Sequence, residues 1–162
     1  TDFQATRFNE YTASFSPDGL WLAYASDESE QGQVFVRSFP DGGGKKQISI
    51  EGLGSSWPTW SQTNQELIFT TSEIAGSREG QIFTVKYRVN EGVFIPERPV
   101  RWEGGIAFYE GYNTYYDLHP DGERLLVRKL VEEEDTEQTF DHVVLFENFF
   151  DYVREQLSTS EN

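Results

Sequence analysis

One order of short segments recurs three times along the 162-residue chain, and a period of this kind restricts the fold to stacked copies of one small unit. The first copy runs Phe15-Ser16-Pro17-Asp18-Gly19, then the apolar run Trp21-Leu22-Ala23-Tyr24-Ala25, then Gln33 to Phe39, a glycine-rich turn, and Lys46-Gln47-Ile48-Ser49. The second runs Trp60-Ser61-Gln62-Thr63-Asn64, Leu67-Ile68-Phe69-Thr70, Gln81 to Tyr87 and Pro99-Val100-Arg101-Trp102. The third runs Leu118-His119-Pro120-Asp121-Gly122, Arg124-Leu125-Leu126-Val127 and His142-Val143-Val144-Leu145-Phe146. The anchors at 15, 60 and 118 are 45 and 58 residues apart. The wider spacing places two insertions in the middle copy, around Ile74–Gly80 and Glu103–Gly111.

Pro-Asp-Gly reverses a chain tightly, because proline presets φ, aspartate bonds the backbone ahead of it and glycine accepts positive φ. The apolar run after the turn suits a strand buried on both faces. In the next strand Val34 and Val36 alternate with Phe35 and Arg37, which predicts a more exposed neighbour. A four-stranded meander repeated at this period is the signature of a β-propeller blade. The expected fold is therefore all-β, one partial propeller over residues 1–162 with four-stranded blades at about 9–50, 56–102 and 112–147. Phe149, Phe150, Val153 and Leu157 recur at helical spacing behind Asn148, so a short C-terminal helix is expected over about 148–157.

Composition removes several function classes. With 13 Lys and Arg against 28 Asp and Glu the net charge is −15, which repels phosphate backbones and anionic headgroups. The only adjacent basic pairs are Lys45-Lys46 and Arg128-Lys129, so no nucleic-acid partner is expected. No apolar run approaches the roughly 18–20 residues of a membrane span, so no membrane insertion is expected. The absence of cysteine removes disulfides, thiolate chemistry and sulfur-ligated zinc. There is no methionine, which fits either a removed initiator or a piece of a longer protein. An outward-facing and a cytoplasmic setting both stay open.

Phe15 to Gly19 followed by Trp21-Leu22-Ala23-Tyr24-Ala25-Ser26 resembles the TolB-type, WD40-like (PD40) propeller repeat. Taken in order, Arg7 to Tyr11, Phe15 to Gly19, Ser26 to Ser29, Val34 to Pro40, Gly43 to Ser49 and Pro58-Thr59-Trp60 resemble the closing blades of propellers fused behind bacterial eukaryotic-like serine/threonine kinases. Tyr116 to Val127, with Val143-Val144-Leu145, is similar to the final blade of the same group. The resemblance implies a non-catalytic module for protein interaction or ligand sensing. No glycine-rich nucleotide loop, His-Arg-Asp or Asp-Phe-Gly motif occurs, so a kinase domain would lie outside this chain.

Propellers typically close with about four to eight blades. Three blades leave two expectations: missing N-terminal blades, or a homodimer that completes a six-bladed ring. No catalytic, metal or cofactor residue is assigned. There is no Gly-x-Ser-x-Gly elbow, and His119 and His142 have no metal-ligand spacing. Asp27 to Gly32 begins like a calcium loop but has Ser38 where a glutamate is required, which leaves a solvated loop. The run Glu132 to Asp135 reads as a solubilising stretch. The interaction candidates are aromatics expected in the loops between repeats: Trp57, Trp102, Phe108, Tyr109 and Tyr112. Two other classes stay open: a propeller hydrolase or lyase acting on carbohydrate or peptide through loop carboxylates, and a purely structural closing segment.

Overall fold

The three predicted turns all form, although only two share a sequence. In the first, the Ser16 N–H donates to the Trp21 carbonyl at 2.9 Å, the Gly19 N–H to the Ser16 carbonyl at 2.8 Å, and the Leu20 N–H to Asp18 Oδ1 at 3.0 Å. The third repeats this pattern, His119 N–H to the Arg124 carbonyl at 2.9 Å and Glu123 N–H to Asp121 Oδ1 at 2.9 Å. The second lacks Pro-Asp-Gly yet closes the same way. Its Ser61 N–H donates to the Glu66 carbonyl at 3.0 Å, while Ser61 Oγ accepts the Asn64 N–H at 3.0 Å. A serine hydroxyl here does the forward bonding that aspartate does in the others.

The computed structural model describes residues 6–29, 31–50, 54–72, 79–108, 116–131 and 140–146. Among the described residues, twelve strands form three antiparallel sheets. The first sheet has the order β1 (Glu10–Phe15), β2 (Trp21–Ser29), β3 (Gln31–Ser38) and β4 (Lys46–Gln47). The second holds β5 (Gly54–Trp60), β6 (Glu66–Ser72), β7 (Glu79–Asn90), β8 (Val93–Pro96) and β9 (Val100–Phe108). The third holds β10 (Tyr116–Leu118), β11 (Leu125–Val131) and β12 (Phe140–Phe146).

Strand counts depart from four per unit outside the first sheet. In the second, the 12-residue β7 is long enough to pair β6 and β9 along one part while its last residues fold back on β8, with Tyr87 opposite Pro96 and Asn90 opposite Val93. That hairpin is neither of the insertions expected in the middle copy, of which the one around Ile74–Gly80 lies mostly outside the described residues. The expected insertion from Glu103 onward is strand as far as Phe108, with Glu79 opposite Phe108 and Phe83 opposite Arg101. The third sheet has three strands among the described residues, and the predicted helix over 148–157 lies outside them. The loop expected from Asp27 is also strand, since β2 reaches Ser29 and β3 starts at Gln31.

Packing follows the parity of each strand. On β6, Leu67 and Phe69 face the first sheet while Ile68 faces the third, and all three have no solvent exposure. The first core joins Trp21, Ala23, Val34, Val36 and Ile48 to Trp60, Leu67, Phe69, Phe83, Val85 and Phe94. The second joins Ile68 and Ile82 to Tyr116, Leu125 and Val127. The middle sheet is thus buried on both faces. β3 is more buried than its alternation predicts: Val34, Phe35 and Val36 are at most 4% exposed, because Phe35 lies against Tyr24 with ring centroids 5.9 Å apart and beneath the Lys45 ammonium. Tyr87 and Phe94 of the β7–β8 hairpin stack at 4.7 Å and bring Phe94 to 5.2 Å from Trp21.

Candidate functional site

β1, β5 and β10 open their sheets and lie at sheet edges. Each of the first two carries the same irregularity. Tyr11 pairs with Ala25 and Ser14 with Ala23, so Thr12 and Ala13 together oppose Tyr24. Ser56 pairs with Thr70 and Thr59 with Ile68, so Trp57 and Pro58 together oppose Phe69. These are β-bulges, which turn a side chain away from its regular direction. The first bulge residue is left-handed in both, φ 51° at Thr12 and 52° at Trp57. A non-glycine residue there costs about 1–3 kcal/mol, and such residues cluster where a fold holds a surface in shape for binding.

Cross-links join the three edges at this level. The Trp57 N–H donates to Thr12 Oγ1 at 3.3 Å, and the Trp60 indole N–H donates to the Ser14 carbonyl at 2.9 Å. From the third sheet, the Tyr116 hydroxyl donates to the Trp57 carbonyl and lies 3.0 Å from the Thr59 hydroxyl. At the turn end, the Thr63 hydroxyl donates to the Asp121 carbonyl at 2.8 Å. Gly122, at φ 77°, lies so close to this turn that a Cβ would come within 2.7 Å of Ser61 Oγ, Thr63 Oγ1 and Asn64 Nδ2.

Charge is distributed at the ends of these strands. Asn9 pins the start of β1 through its N–H and side-chain amide to the Asp27 carboxylate, at 2.9 and 2.7 Å, and these bonds lower the Asp27 pKa. Half-burial, with the Asp27 charge, raises that of Tyr11. In the third turn, Asp121 is lowered to about 2, chiefly by the Glu123 N–H and further by Arg124 and His119. Arg124 Nε donates to Asp121 Oδ2 at 2.8 Å, and His119 Nδ1 lies 2.9 Å from the same oxygen. Among the described residues no group of three or more His, Asp or Glu is placed to hold a metal ion.

The sequence candidates fall differently from expectation. Trp57 lies in β5 and Trp102 in β9, both half-buried against the core between the second and third sheets, so neither is a loop residue. Phe108 ends β9, and Tyr109 and Tyr112 lie outside the described residues. Thr12 and Tyr116, which complete the edge with Trp57, escape sequence reading. The available signal was positional: Thr12 and Trp57 each precede the turn serine, Ser16 or Ser61, by four residues.

No family model matches the chain, and no curated protein matches it. Among solved structures, the chain is similar to TolB from Acinetobacter baumannii, with 16% identity, a TM-score of 0.45 and coverage of 90% of this chain and 42% of that one. The chain thus spans about two fifths of that protein's length.

Proposed function

We propose that this chain is part of a TolB-like β-propeller and works as a non-catalytic module for protein interaction or ligand sensing within a larger protein. The observation that carries this is the strained edge: two consecutive sheets hold a non-glycine residue left-handed at the same position, and the third sheet bonds to one of them. Stacked meander sheets bury their faces on each other, so variation in side chains is available at the edges and loops. The ordered segments from Arg7 to Trp60 support a parent protein of the serine/threonine kinase type, with the kinase domain outside this chain.

The test is selection of displayed peptides on the immobilised chain. Trp57→Ala should weaken the recovered binders by about tenfold or more, as loss of an aromatic anchor does. Trp102→Ala removes a tryptophan from the same inter-sheet core without touching the bulge and should weaken them much less. Equal losses, an absence of saturable binders, or turnover of ester, glycoside or peptide substrates would overturn the proposal.

A further inference from the structure

The two internal interfaces use equivalent positions, and some of these positions are exposed on the outer faces of the first and third sheets. Register matches Phe15 with Leu22, Trp60 with Leu67 and Leu118 with Leu125, which aligns the three sheets residue by residue. Trp60 is 3% exposed because the first sheet covers it, whereas its equivalent Phe15 is 52% exposed. On the opposite faces, Ala23 and Ile68 have no exposure, whereas their equivalent Leu126 is 40% exposed. The turns agree: Gly122 is packed on the second turn, while Gly19, at φ 70°, has no neighbour within 4 Å of its Cβ position. Leu20 beside it is 57% exposed.

We infer that the turn end of the first sheet, Phe15, Gly19 and Leu20, docks the outer face of the third sheet, Leu126, of a second copy of this chain. Each copy carries one half of a single repeat-generated interface, so the contact is heterologous: it joins unlike faces. It rests on the blade interpretation of the three sheets. The docking area is the turn end, because Tyr24 and Phe35 in the middle of the same face are already at most 4% exposed. The third turn carries Asp121 where the second carries Thr63, so the hydroxyl bond that seats Gly122 has no counterpart, and apolar contact drives the docking. Because each copy carries −15, screening the mutual repulsion strengthens association, opposite to a contact made by ion pairs.

Light scattering across a dilution series, at low salt and at about 0.5 M, reads this directly. The wild-type chain should gain mass with concentration, and more so at high salt. Phe15→Ser and Leu126→Lys should each abolish the gain, and an equimolar mixture of the two should regain a dimer through its one intact pair of faces. Misfolded variants could not complement in that mixture. A wild-type monomer at all concentrations, or a Leu126→Lys variant that associates normally, overturns the docking. The blade interpretation is judged separately by the paired glycine substitutions at positions 19 and 122, so the two failures are distinguishable.

Discussion

Gly19 and Gly122 occupy the same place in the same turn, with φ of 70° and 77°, and differ in what the neighbouring sheet puts beside them. Alanine at either site takes on the left-handed penalty of about 1–2 kcal/mol. Restricting the unfolded chain returns about 0.4–1 kcal/mol of that. Gly19→Ala should therefore destabilise by roughly 0–1.6 kcal/mol. At Gly122 the new methyl meets three atoms at 2.7 Å. Ser61 Oγ is held by the Thr63 and Asn64 amides and Thr63 Oγ1 by the Asp121 carbonyl, so two of the three cannot swing away without losing a bond. Overpacking of this kind adds about 1–3 kcal/mol. Urea unfolding at dilute protein concentration measures both variants. With a slope of about 1–3 kcal/mol per molar, the Gly122→Ala midpoint should fall below that of Gly19→Ala by roughly 0.3–3 M. Equal midpoints would refute packing of the third turn on the second.

Phe69→Ala empties a fully buried site where the ring stacks on Phe83 at 5.7 Å between the first two sheets, and should cost about 3–5 kcal/mol in the same unfolding assay. Tyr116→Phe removes the hydroxyl that bonds the Trp57 carbonyl and should cost about 1–2 kcal/mol while leaving the far-ultraviolet dichroism unchanged. Asp121 titrates lower in the folded chain, about 2 against 3.8, so its contribution is fully present above about pH 4 and is lost as pH falls toward 2. Unfolding midpoints measured from pH 5 to pH 2 should fall less steeply for Asp121→Asn than for the parent, and parallel curves would contradict the assignment.

Much of the scaffold was legible in the residues. Proline, aspartate and glycine at the two explicit turns dictate reversal locally, and the alternating direction of Leu67, Ile68 and Phe69, toward the first and third sheets in turn, follows from the two-residue period of a strand. Even the second turn, without its Pro-Asp-Gly, was located by the apolar run behind it. The errors share one origin. Ile106 to Phe108 read as part of an insertion because their pairing partners, Gln81 to Glu79, lie more than twenty residues earlier, and no local pattern reports a ladder formed at that distance. The alternation of β3 suggested exposure because the sequence shows side-chain direction and not what Tyr24 and Lys45 place over Phe35.

The recurring turns and the parity of the strands behind them are legible residue by residue, because backbone sterics and short-range hydrogen bonding set both. The tertiary structure alone decided the strained edge. Thr12 and Trp57 have ordinary neighbours in sequence, and nothing local favours a positive φ for a threonine or tryptophan. Their conformation is held by register against Tyr24 and Phe69 and by bonds that cross from one sheet to the next, and these exist only once the sheets have stacked.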